Sequence, residues 1–225
     1  MTRSVIMRLL AASGLLYGIM EVFGDSLSST TDSSQSPQQV AAYFASHAPT
    51  ASTWAGMYVE TIGAFALLAF SAYVWTLGRD TEWARILGAL ALCAGIIQTA
   101  LILGGEPAKA AVFFRASRGE LDPPVAAALL DLNNGAFLAG FMAQALLAAA
   151  VSGLAVVRGI YPRWLALPGF GVAAALLAVI ATPAGSSLPV LVNLIFFLWL
   201  AAISVVLALR GPVSVRGLAP KPAAV

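Results

Sequence analysis

The chain has 225 residues, is 60% hydrophobic and 10% charged, and has a mean hydropathy of +0.89. Soluble domains carry about 25% charged residues, so this composition excludes a protein bathed by water on every side and makes the lipid bilayer its expected solvent. The net charge of +2, with no basic patch interleaved with aromatics, excludes a nucleic-acid partner. The lone cysteine, Cys93, and the lone histidine, His47, give neither a disulfide framework nor a metal or haem ligand set, so no metal and no cofactor are expected. Cys93 lies in an apolar run and reads as a small core residue.

In chain order, six apolar segments of spanning length emerge at about 6–24, 53–77, 83–104, 135–157, 164–182 and 188–209. About 20 apolar residues, at ~1.5 Å of rise each, cross a hydrocarbon core of roughly 30 Å. The fold class expected is therefore all-α: a polytopic bundle of six transmembrane helices forming one domain over 1–210, with a flexible cytoplasmic tail at 211–225. The first segment competes with a signal peptide. No small-x-small cleavage site follows it, and Glu21 interrupts its apolar run, so a retained helix is expected.

With the N-terminus inside, nine of the twelve basic residues face the cytoplasm: Arg3, Arg8, Arg79, Arg85, Arg158, Arg163, Arg210, Arg216 and Lys221. Lys109, Arg115 and Arg118 face outward. The positive-inside rule then places both termini in the cytoplasm of a multi-pass cell-membrane protein. Trp54, Trp75, Trp83, Trp164 and Tyr161 fall at segment ends, as interfacial anchors do, whereas Trp199 lies within a span and reads as packing.

The two long connections lie outside. The first opens with the polar run SLSSTTDSSQ and continues as SPQQVAAYFASH, in which Ser36, Pro37 and Gln39 spell a capping box. Val40, Tyr43, Phe44 and His47 share one face, predicting a short amphipathic helix on the membrane surface or the bundle mouth. His47 paired with Asp25 or Asp32 would be an acid–base couple, but a lone histidine on such a face reads more simply as interfacial. In the second connection, 105–134, Gly104–Gly105 and Gly119 read as breaks and Asp122–Pro123 as a helix start. One or two interfacial helices with solvated charges are expected there.

The stretches RLLAASGLLYGIMEV, SPQQVAAYFASHAP, VWTLGRD and LLDLNNGAFLAGFMAQALLAAAVSGLAVVRGIYPRWLALPGFGV resemble, in spacing and texture, a family of uncharacterised six-span integral membrane proteins common in high-GC Gram-positive bacteria. The resemblance covers most of the chain and implies fold and membrane location. That family is a domain of unknown function, so no chemistry follows from it, and Glu21 and Glu60 have no counterpart assigned in its pattern.

The polar residues within the spans carry the functional argument. A charge in mid-bilayer costs on the order of 2.5–3.5 kcal/mol, so such a group turns to the bundle interior or a wet cavity. Glu60 lies six residues beyond Trp54, roughly 9 Å along the helix. Gly56, Glu60 and Gly63 share one side of their helix. In the first span Gly14, Tyr17, Gly18 and Glu21 do the same, with GLLYG forming a GxxxG close-approach motif. Gln98, Asp131, Asn133, Asn134, Gln144 and Asn193 fall in the same outer half, and the inner half is almost wholly apolar. An outward-facing carboxylate and amide pocket is expected, lined by Glu21, Glu60, Tyr17, Tyr58, Gln98, Asn133, Asn134, Gln144 and Asn193. For each amide taken alone, interhelical hydrogen bonding is the plainer reading.

Three functions compete. The first is a non-enzymatic membrane protein whose pocket takes a small molecule or protons, with a small apolar or amphipathic ligand among the partners. The second is a membrane-embedded acid–base enzyme, of isomerase or cyclase type, acting on a lipid-soluble substrate such as an isoprenoid. There Glu60, Glu21 and Asp131 would move protons, and Tyr17, Tyr58 and Phe137 would face a cation. The third is a structural or assembly protein that forms homo-oligomers through the Gly14/Gly18 face. A closed apolar cavity with two carboxyls would favour the enzyme, and a wet funnel the binding protein. A channel is disfavoured, since the spans carry no charge ring and no broken helix pair.

Overall fold

The computed structural model describes residues 2–28, 35–182 and 186–210, and among these every regular element is a helix. They are α1 (Arg3–Ser28), α2 (Pro37–Ser46), α3 (Ala51–Leu77), α4 (Glu82–Ser117), α5 (Pro123–Arg158), α6 (Arg163–Val179) and α7 (Leu188–Arg210). The expected tail at 211–225 and Asp32 lie outside the described residues. Five helices, α1, α3, α4, α5 and α7, are long and apolar enough to cross a membrane, and α6 is a shorter apolar helix of 17 residues. The chain is a multi-pass helical membrane protein. Instead of filling 164–182, α6 ends at Val179, where the Ala181 and Thr182 amides turn back onto the Ala178 and Val179 carbonyls. At 1.5 Å per residue it measures about 26 Å.

Helix α6 and the five long helices close into a ring in which α1 packs on α3, α3 on α4, α4 on α5, α5 on α6, α6 on α7 and α7 back on α1. Tight turns explain the antiparallel neighbours. Gly159, at φ +61°, takes the left-handed conformation that stops α5, and its amide bonds the Ala155 carbonyl at 2.7 Å. Two arginines bind that end together. Arg158 pairs with Asp80 of the neighbouring turn, and Arg210 Nη1 donates to the Ile160 carbonyl at 3.0 Å.

Small residues set how closely the helices approach. The Gly14/Gly18 face, offered under the third function as a homo-oligomer surface, is used within the chain: Gly14 sits under Ser204 and Phe70, and Gly18 under Phe197. Two further glycines lie beneath serines, Gly95 beneath Ser71 and Gly169 beneath Ser152. Each serine hydroxyl occupies the volume that a methyl group on the glycine would take. Sequence spacing showed the glycines but not their serine partners.

The second outer connection differs most from expectation. Helix α4 runs unbroken through Gly104, Gly105 and Pro107 to Ser117, and α5 begins at Pro123, so only 118–122 connects them. Gly105 ends nothing; its missing side chain admits Ala136 and Asn133 of α5. Each helix has 36 residues, about 54 Å, which exceeds the roughly 30 Å hydrocarbon core. The surplus forms a helical arm beyond the ring. Helix α2 docks on that arm at the bundle mouth, seating Val40 and Phe44 among Met57, Val112, Phe113, Ala126 and Leu130. Its Ser36–Gln39 capping box forms as the sequence predicted.

Three other expectations are corrected. Cys93 is exposed, because it lies on the face of α4 away from the Ala91, Ala94, Gly95 and Gln98 contacts. Tyr161 is buried and donates to the Val151 carbonyl at 3.1 Å, so it is a core residue and not a belt anchor. The charges of the second connection are not all solvated, since Lys109 is only 5% exposed. Trp199 packs within the bundle and donates to the Leu165 carbonyl at 3.2 Å.

Candidate functional site

Antiparallel alternation brings the C-terminal halves of α1 and α4 and the N-terminal parts of α3, α5 and α7 to one end of the ring, the end that carries the arm and α2. A cavity of about 310 Å³ opens there, within the size range of small-molecule sites, about 300–1,000 Å³. Helix α1 gives it Tyr17, Glu21 and Asp25; α3 gives Glu60; α4 gives Gln98, Gly105, Glu106 and Lys109; α5 gives Asn133, Asn134, Phe137 and Gln144; α7 gives Asn193 and Phe197. On α4 the positions 98, 102, 105, 106 and 109 form one helical stripe that continues across the glycine pair.

Eight of the nine expected pocket residues therefore meet: Glu21, Glu60, Tyr17, Gln98, Asn133, Asn134, Gln144 and Asn193. Tyr58 does not. Two positions before Glu60, it points away from the ring and is 68% exposed. Asp131 is exposed and does not line the cavity, so it is no proton partner for Glu60. His47 stacks on Tyr43 at 4.2 Å and holds the Tyr43 carbonyl, as a local cap on α2.

Glu60 is 6% exposed and paired. Its Oε1 accepts a 2.5 Å hydrogen bond from Ser28 Oγ, and its Oε2 lies 3.7 Å from Lys109 Nζ, which in turn donates to Ser28 Oγ at 2.9 Å. Lys109 also lies 3.9 Å from Glu106 Oε2. This cluster ties the end of α1 to α3 and α4. Backbone approach makes it reachable: a methyl group on Gly24 would strike Glu60 and the Gly56 carbonyl, and one on Gly56 would strike Gly24, Leu27 and Ser28. The glycine side of α3 faces α1, as its spacing predicted.

The rest of the lining has the opposite character. Among the described residues nine buried side-chain polar atoms lack a hydrogen-bond partner, and six of them belong to this cavity: Glu21 Oε1, Gln98 Oε1, Glu106 Oε2, Asn134 Nδ2, Gln144 Oε1 and Asn193 Oδ1. Gln98 and Gln144 are 6% and 3% exposed, and Gln98 is bound only weakly, with Nε2 3.5 Å from the Tyr17 hydroxyl. Unpaired buried polar atoms cost about 1–3 kcal/mol each, so their convergence marks a surface built to meet polar matter that enters the cavity. Four carboxyl groups, Glu21, Asp25, Glu60 and Glu106, face a single ammonium, Lys109.

Sequence reasoning missed Glu106, Lys109 and Ser28. For Glu106 and Lys109 the signal was the α4 stripe, in phase with Gln98; Ser28, at the end of α1, lay in the polar run that opens the first connection. Among the described residues no group of three or more His, Cys, Asp and Glu side chains is placed to hold a metal ion. No protein-family model, curated protein or solved structure matches the chain.

Proposed function

We propose that this is a six-span protein of the cell membrane, with both termini cytoplasmic and α6 as the short sixth span, that binds a small organic cation non-enzymatically in an outward-facing cavity. The observation that carries the reading is the cavity wall: six buried polar atoms without a hydrogen bond converge there, and four carboxyls outnumber one lysine. Lys109 already faces Glu60, Ser28 and Glu106, which leaves Glu21 and Asp25 to attract positive charge, while Gln98, Gln144 and Asn193 offer carbonyl oxygens to N–H donors. The sidedness follows from charge. Arg3, Arg8, Arg79, Arg85, Arg158, Arg163 and Arg210 collect at the end opposite the cavity, which the positive-inside rule makes cytoplasmic.

The acid–base enzyme reading loses support. Glu60 is paired with Lys109 and is not a free acid, Asp131 and Tyr58 stand outside the cavity, and the lining mixes carboxyls and amides with apolar side chains instead of being wholly apolar. A purely structural role is weakened because the Gly14/Gly18 face is used within the chain.

Titration calorimetry on protein in phosphatidylcholine nanodiscs tests the proposal. Propylammonium should bind saturably and propionate should not. Glu21→Gln should weaken propylammonium by at least ~10-fold, the loss of a charge-assisted hydrogen bond. Equal binding of both ions, or unchanged affinity in Glu21→Gln, would overturn it.

A further inference from the structure

A second opening leads to the same carboxyl cluster from the side. Helix α3 presents Trp54, Met57, Tyr58 and Thr61, and α4 presents Leu103, Glu106, Pro107 and Ala110. Each set is spaced i, i+3, i+4, i+7, so the two stripes face one another along a groove of about 290 Å³. Glu106 lines both this groove and the polar cavity. It is the one carboxyl of the groove wall, and the Thr61 hydroxyl already donates to the Met57 carbonyl at 2.8 Å. Pro107 follows at once. It lacks the N–H that would bond the Leu103 carbonyl, so α4 has a missing rung beside Glu106.

A polar cavity and an apolar groove that share one carboxylate wall are matched to a ligand with the same division. We propose that the occupant is an amphipathic organic cation resident in the bilayer: a long-chain amine whose alkyl tail lies between α3 and α4 and whose ammonium passes Glu106 into the cavity. Charge complementarity selects the cation. Gln98 and Gln144, nine-tenths buried with unpartnered oxygens, receive its N–H groups. The tail gains little on leaving lipid, which is as apolar as the groove, so the groove sets the route and the length of the ligand while the cavity sets its charge. This inference rests on the cation-binding reading above.

The test uses the full chain in phosphatidylcholine nanodiscs, with dodecylammonium and propylammonium as probes. Dodecylammonium should displace propylammonium competitively and bind ~10-fold or more tighter in total concentration. A mid-chain brominated dodecylammonium should quench tryptophan fluorescence, and Trp54→Phe should remove most of that quenching. Leu103→Trp, which adds bulk in the groove at a partly exposed position, should abolish the advantage of the long chain while propylammonium still binds as in the unaltered protein. Tyr58→Ala, at an exposed site, should reduce the quenching without touching the cavity. Binding of propylammonium with no competition from dodecylammonium, or quenching unchanged in Trp54→Phe, would overturn the lateral route and leave the cation cavity standing. Failure of both amines to bind would remove the cavity reading and this one with it.

Discussion

The two ends of the same helix ring are built on contrary rules. At the arginine-rich end the interior is filled: serines sit over glycines, Tyr161 bonds the Val151 carbonyl, and Arg210 closes the last turn on Ile160. At the arm end the helices part, and amides and carboxyls face an unfilled space. One end is arranged for stability. The other retains buried polar groups at a stability cost, which is the pattern expected where activity needs a destabilised site. At the open end the join is the Ser28–Glu60–Lys109 cluster, which ties α1 to α3 and α4 and keeps the helices from spreading.

The sharpest way to break this contrast is to cut the join. Lys109→Met strands a buried carboxylate and should cost about 3–5 kcal/mol, the range for a broken buried pair. Thermal unfolding in detergent should show the loss, and adding Glu60→Gln should recover most of it. If Lys109→Met unfolds like the unaltered chain, the cluster does not hold the open end. Next, Gly14→Leu overfills the closed end against Ser204 and Phe70 and should cost about 1–3 kcal/mol on the same assay.

The all-helical class, the α2 capping box and eight of the nine expected pocket residues were legible because solvent forces them. A carboxyl or amide in a span must turn inward, and the period of 3.6 says which side that is. Tyr58 was misplaced because the closeness of a residue to Glu60 in sequence is not closeness on the helix, where two positions are about 200° apart. Lys109 and Glu106 were missed because Gly104–Gly105 was read as a break. A helix can run through glycine when a neighbour needs the space, and Asn133 and Ala136 of α5 need it here. The serine-over-glycine contacts were beyond reach, since they join helices with no marker of which will be neighbours.

Smaller effects sharpen the comparison further. Tyr161→Phe removes one buried hydrogen bond and should cost about 0.5–1.5 kcal/mol. Gln144→Leu should do the reverse at the open end: it removes an unpartnered carbonyl oxygen and should leave stability unchanged or raise it by about 1 kcal/mol, while propylammonium binding weakens. A matching loss of stability would mean that Gln144 serves packing alone. Asp131→Asn, on the exposed side of α5, should change neither stability nor binding, within about 0.5 kcal/mol.

The outward-facing Cys93 has a practical consequence. Being the chain's single thiol and turned away from the neighbouring helices, it offers one built-in attachment point for a spectroscopic label, with no competing sulfhydryl to delete first. A lipid-soluble maleimide should modify it to one equivalent, and a membrane-impermeant one should not. The label would then report the depth of α4 in the native protein.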